Sequence, residues 1–236
     1  MVHPINWHHL TDPVSIKVVA PPEPFSPQAM ELVDGIWTEA KSLLHDALFD
    51  GPILSLIHSS RSCVTVWPSS YRFALARLQL RELLGATPMV RPLGVTGLLL
   101  CPQGLVLGRR SATLAITAGL WEAAPAGGLD RPDPAAVVLC ELQEELGLAP
   151  DRIETMIACG LVEDLDSGIA DIIFKLTTKA SADEILAARC LNGAAEYDEL
   201  VVVALDNIPD FLARHSSKIL PSLSLMITAA GLANIL

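Results

Sequence analysis

Residues 127–148 read GGLDRPDPAAVVLCELQEELGL. Asp133 followed by Pro134 is a helix start: a side chain that accepts from the first free N–H groups, then a residue whose fixed φ suits the first helical position. Gly147 is the matching stop. The spacing predicts a helix from about 134 to 146. Each residue turns about 100° around its axis. Glu141, Glu144 and Glu145, at i, i+3 and i+4, therefore share one face. Ala135, Val138, Leu142 and Leu146 share another, which can pack on a sheet. Like charges at this spacing destabilise a helix, and a hard divalent cation such as Mg2+ or Mn2+ resolves the repulsion. A solvated acidic face is the competing reading of the same residues. The context favours the cation: a Gly-Gly loop before the helix, an apolar packing face, and an upstream strand pair ending in Arg109-Arg110.

Working outward, residues 93–101 read as a buried strand, Pro102-Gln103-Gly104 as a turn and residues 105–109 as the returning strand. Further strands are expected at 157–163, 170–177 and 200–205. Ser181-Ala182-Asp183-Glu184 is a capping box that opens a short helix, and Asp206 opens the last helical region. Upstream, residues 1–25 are proline-rich and irregular, interrupted by a short strand at 15–19. A helix over 27–45, strands at 53–58 and 63–67, and a helix over 70–84 ending at Gly85 complete the N-terminal part. Strands mixed with helices, without regular βαβ alternation, indicate an α+β protein. The expected organisation is an N-terminal α+β extension over 1–91, then a second domain over 92–236.

Composition narrows the function. Of 236 residues, 51% are hydrophobic, enough for a full core. Lys plus Arg is 16 and Asp plus Glu 27, so the net charge is 16 − 27 = −11. That balance argues against general binding to nucleic acid or anionic membranes. An acidic protein that handles phosphate needs local cations, and bound metal is the usual source. Cys63, Cys101, Cys140, Cys159 and Cys190 are scattered without a CxxC pair, which points to a reducing, cytoplasmic setting. MVHPINWHHL has no secretory pattern. Residues 219–236 are uncharged, but Pro221, Ser222, Ser224, Thr228, Gly231 and Asn234 make a buried C-terminal helix the expectation over a membrane anchor.

The central stretch resembles the signature of the Nudix hydrolases, G-x5-E-x7-R-E-U-x-E-E-x-G-U, where U is a bulky aliphatic. Its second half matches at Glu141-Leu142-Gln143-Glu144-Glu145-Leu146-Gly147-Leu148. The lead-in is similar too: LVLGRR, a loop, then GLWEAAPAGG. The resemblance covers roughly 92–205. It implies a Nudix-like α/β/α sandwich with a mixed sheet, and metal-dependent hydrolysis of the diphosphate bond in a nucleoside diphosphate linked to another moiety, X. Glu141, Glu144 and Glu145 would be the catalytic and metal-binding set, with Mg2+ or Mn2+ bridging them to the diphosphate. A backbone carbonyl of Gly127 or Gly128 would complete the shell. A further ligand is expected from AAEYDELVVV, with Glu196 preferred to Glu199.

The match also has departures. Cys140 stands where the family has its arginine, and the family's first glutamate falls on Pro132 and its leading glycine on Ala126. With both members of the bracing ion pair gone, no charge is left unpaired. Asp133 stands near the missing glutamate if the loop is two residues shorter. The alternative to an enzyme is therefore a non-catalytic nucleotide or nucleotide-sugar binding module. A third reading is a purely structural acidic domain.

Adjacent strand residues face opposite ways, so at most one of Arg109 and Arg110 faces a cleft and a phosphate; Arg110 is preferred. Trp121 is expected in the core, Cys140 as a small apolar filler, and His8-His9 as incidental. Phe49-Asp50-Gly51 and Tyr71 loosely resemble features of the UDP-sugar-cleaving branch. The expected partner is a small nucleoside diphosphate derivative. The apolar N-terminal region could form a homodimer interface or a substrate lid.

Overall fold

The computed structural model describes the chain except residues 1–3, 22–25, 45–47, 80–89, 115, 193–195 and 233–236. The centre is a mixed eight-stranded sheet. Its main path runs β1 (Ile5–His9), β9 (Ile153–Asp164), β10 (Ala170–Thr178), β5 (Leu93–Cys101), β6 (Gly104–Arg110) and β11 (Tyr197–Val203). β10 and β5 are parallel, and the other neighbours antiparallel. β5 and β6 pair only beside their turn, at Leu100↔Leu105 and Cys101↔Gly104. Beyond it they diverge. β8 (Ala126–Gly128) takes the free edge of β5, and β7 (Trp121–Ala123) that of β6.

Alternation along the strands gives the sheet two apolar faces. On one, Val95, Leu99, Val106 and Ile172 pack with α3 (Pro134–Leu146) and α4 (Ala182–Asn192) through Val137, Val138, Leu142, Leu146 and Ile185. On the other, Leu98, Leu105, Leu107 and Ile173 pack with α5 (Ile208–Arg214) and α6 (Leu223–Ala229) through Ile208, Leu212, Leu223, Met226 and Ile227. This is an α/β/α sandwich around a mixed sheet, as the sequence leads one to expect.

The caps on α3 and α4 are those the sequence specifies. Asp133 Oδ1 accepts from the Ala136 N–H at 3.0 Å. Gly147 closes α3 with φ 65°, a left-handed conformation natural to glycine. Ser181 and Glu184 form the capping box on α4, with the Ser181 N–H donating to Glu184 Oε2 at 2.8 Å.

A second sheet is ordered β2 (Ser15–Val18), β4 (Cys63–Ser70), β3 (Pro52–Ser59). Its Leu54, Leu56, Val64 and Val66 enter the same core as α3. The Leu54 N–H donates to Leu129 O at 2.8 Å, and that of Leu56 to Arg91 O at 2.8 Å. α1 (Pro27–Leu44) and α2 (Tyr71–Gln79) meet through Trp37 and Tyr71, edge to face at 6.4 Å.

One feature differs from the sequence expectation. The N-terminal stretch holds β1, whose only apolar residues are Ile5 and Trp7, partly buried against the α5–α6 side of the core; its place is set by backbone pairing to the edge of β9. The C-terminal segment is described as the short helix α6, and no helix among the described residues is long and apolar enough to cross a membrane. The expected stop at Gly85 lies outside the described residues.

Candidate active site

The divergence of β5 and β6 opens a cleft of about 380 Å3. Gly94 and Thr96 of β5, Arg110 of β6, Glu122 of β7 and Gly127 and Gly128 of β8 line it. Ile53, Tyr71, Ala74 and Leu78 supply a wall from the N-terminal region. The extension therefore forms part of the cleft.

The α3 carboxylates sit in three environments. Glu145 is 4% exposed. Its Oε2 accepts from the Ala126 N–H at 3.0 Å and from Tyr197 Oη at 3.1 Å. Burial holds its pKa well above the ordinary carboxylate range; the Ala126 N–H opposes this, while Glu141, Glu122 and Glu196 reinforce it. Glu141 is half-buried against Gly127: a Cβ there would lie 2.0 Å from Glu141 Oε1, so only glycine leaves room for the carboxylate. Burial first, then Glu144, Glu196 and Asp130, push Glu141 up to about 7, against Arg131. Glu144 is exposed.

Arg110 faces the cleft, with Nη1 2.7 Å from Glu122 Oε1 and Nη2 3.3 Å from Glu196 Oε1. Burial acts against its charge, but the two glutamates outweigh it and the pKa is raised. Arg109 points elsewhere, pairing with Glu199 at 3.2 Å and with Asp198 at 3.9 Å. Glu196 thus stands at the cleft and Glu199 outside it. Trp121 is buried in the core, edge-on to Phe211 at 5.1 Å. Asp133 is occupied as the α3 cap. Cys140 is exposed rather than a filler, because position 140 falls on the solvent side of α3, where Arg131 Nη2 lies 3.1 Å from its Sγ. On β1, His8 Nε2 lies 3.2 Å from Glu163 Oε1.

Oxygen donors in mutual repulsion, one of them seated in a glycine cradle, fit a hard divalent cation in donor chemistry. Among the described residues, no group of three or more such side chains closes into a preformed cage. Glu141 and Glu144 are the open donors, and Glu145 is held from the protein side.

The sequence reading missed Glu122, Asp171 and Tyr197. Glu122 is 5% exposed, and burial raises its pKa against the pull of Arg110. Asp171 lines the cleft, with its carboxyl pushed up to about 7 by burial, then by Glu122, against Arg110. Tyr197 is 1% exposed, its ring filling the space beside Gly108, where a Cβ would meet it at 2.5 Å. Their signal was available: Glu122 and Asp171 are lone charges inside buried strand sequences, WEA and ADIIF, and buried charges are rare without a role.

A mixed sheet between helical layers, with the carboxylate helix beside the Gly-Gly edge strand, is the arrangement the resemblance implies. The fold is Nudix-like. No protein-family model matches the chain, and no curated protein matches it significantly. Solved structures do. DR0079 from Deinococcus radiodurans is 14% identical with a TM-score of 0.48, over 75% of this chain and 98% of that one. The NUDIX domain of Shewanella oneidensis NrtR, complexed with ADP ribose, is 16% identical with a TM-score of 0.41, over 65% and 96%. A bifunctional NMN adenylyltransferase/ADP ribose pyrophosphatase from Francisella tularensis, complexed with AMP and a manganese ion, is 11% identical with a TM-score of 0.44, over 66% of this chain and 45% of that one. Likenesses this low assign no activity.

Proposed function

We propose that the chain is a Mg2+- or Mn2+-dependent pyrophosphohydrolase acting on a nucleoside diphosphate linked to a second moiety. One observation carries the reading: the carboxylate face of α3, with Glu141 and Glu145 seated against the β8 edge, adjoins a cleft large enough for part of such a substrate. Glu141 and Glu144, with Glu196 across the cleft, would hold the cation. When bound, it neutralises phosphate charge, orients the reacting groups and lowers the pKa of bound water.

The chain's own residues have separate tasks. The Ala126 N–H and the Tyr197 hydroxyl fix Glu145 from the protein side. The coupled carboxylates act as one proton-accepting unit rather than as a single assigned base. Arg110, released from Glu122 or Glu196, would pair with a phosphate oxygen. The N-terminal wall would exclude water from the inner cleft.

One observation favours a non-catalytic binding module as the second reading: Glu145 and Arg110 are already engaged by protein partners. The test is product release from UDP-sugars, ADP-ribose, dinucleoside polyphosphates, NADH and nucleoside triphosphates with Mg2+ or Mn2+. A nucleoside monophosphate from one class supports the enzyme. Ligand-induced thermal stabilisation without product supports the binding module.

A further inference from the structure

Of the carboxylates that line the cleft, Glu122, Asp171 and Glu196, the half-buried Asp171 is the one without a hydrogen bond or ion pair to another described residue. In the ladder it stands opposite Gly94, which in turn stands opposite Gly128. A Cβ at Gly94 would lie 2.3 Å from Asp171 Oδ1 and 2.9 Å from Gly127 O. The missing side chain is therefore what lets this carboxylate share the cleft floor with the β8 edge. The same lining carries the apolar Ile53, Leu78 and Ile169 together with Tyr71, and Arg110 and Glu122 act on Asp171 only through space. A carboxylate left with free lone pairs in such surroundings is costly unless a ligand supplies donors.

The charge balance says which donors. Among the described lining residues Arg110 is the one cation, and Glu122 and Glu196 already flank it. This inner region is poorly suited to another phosphate. It suits an uncharged ring bearing neighbouring O–H or N–H groups.

We propose that Asp171 is a specificity-determining residue, accepting hydrogen bonds from adjacent donors on an uncharged ring of the substrate. This rests on the pyrophosphohydrolase reading for its context. Two sources share the chemistry: vicinal hydroxyls of a sugar in X, or the N–H edge of the nucleobase.

The test compares the full-length protein with Asp171→Asn, which keeps the shape and removes the charge. Folding is checked first: with a buried charge gone, the variant should melt no lower than the parent at pH 8. Binding of UDP-glucose, ADP-glucose, GDP-glucose and UDP methyl ester is measured in EDTA, and KM and kcat with Mn2+. The expected result is an approximately tenfold or greater rise in Kd and KM, as for loss of one charged hydrogen bond, with kcat and the Mn2+ dissociation constant little changed. If the effect vanishes with the methyl ester, the donors are sugar hydroxyls. If it follows the base at constant sugar, they belong to the base edge. Unchanged Kd and KM for every probe overturn the proposal, as does a parallel loss of Mn2+ affinity. Binding that depends on Asp171 without any hydrolysis keeps this proposal and removes the enzymatic one. Failure of every probe to bind the parent removes both.

Discussion

At the residue scale, two glycines set the position of side chains in the candidate site. An alanine at Gly127 would place its Cβ 2.0 Å from Glu141 Oε1. The obstructed group is the end of a flexible side chain, so it moves and the fold survives. Misplacement of a reacting group by about 1 Å can cost roughly 100-fold in rate. Gly127→Ala is expected to lower kcat/KM by about that factor, with little change in the melting curve. Gly108 faces a rigid ring, 2.5 Å from Tyr197 Cδ1. Gly108→Ala is expected to destabilise the protein by about 1–3 kcal/mol, read by urea unfolding.

The carboxyls carry a pH signature. Glu141 and Asp171 are both pushed up to about 7. The folded protein then binds protons more tightly than the unfolded chain, so stability falls as pH rises. In EDTA the melting temperature should drop from about pH 5 through pH 7. Mn2+ should reverse the drop above pH 7, where Glu141 is ionised and free to ligate. A melting temperature that rises over this range would contradict the placement of these groups.

At the scale of single elements, α3 shows what sequence makes legible. Asp133, Pro134 and Gly147 specify its ends, and the apolar period specifies its buried face; the observed helix is Pro134–Leu146. Asp133→Ala removes the accepted Ala136 N–H bond and is expected to cost about 1 kcal/mol, a drop of about 2–4 °C in melting temperature. β5 was equally readable, because nine uncharged and mostly apolar residues leave few alternatives to a buried strand.

β1 was not readable. Its side chains are largely exposed, and its position follows from the hydrogen bonds that β9 offers. Within the site, the shared face of Glu141, Glu144 and Glu145 followed from helical periodicity. Their unequal burial did not, since it depends on β8 and on Tyr197, which approach from distant parts of the chain. Glu122 and Asp171 stand out locally as lone charges, but their neighbours do not: nothing local says that β7 lies along β6, or that β10 lies beside β5.

At the scale of the whole molecule, the N-terminal region and the sandwich share one core and one cleft. Leu54, Leu56, Val64 and Val66 pack with α3, and Tyr71 and Leu78 face the cleft. β1 closes the edge of β9, with the Trp7 ring lying over Gly160. Removing residues 1–9 would leave that edge unpaired, a template for association between chains. The truncated protein is expected to aggregate at concentrations where the full chain does not, as seen by light scattering; an unaggregated truncation with unchanged melting would contradict that role for β1.

The proposed function requires that the carboxylate face of α3 perform metal-dependent cleavage of a diphosphate bond. Its most direct test is nucleoside monophosphate release from the best substrate of the panel, with Mn2+ or with EDTA, by the parent and by the Glu144→Gln/Glu145→Gln protein. Release is expected only from the parent and only with metal, while circular dichroism shows both proteins folded. Equal release by the folded double variant, or release unaffected by EDTA, would contradict it.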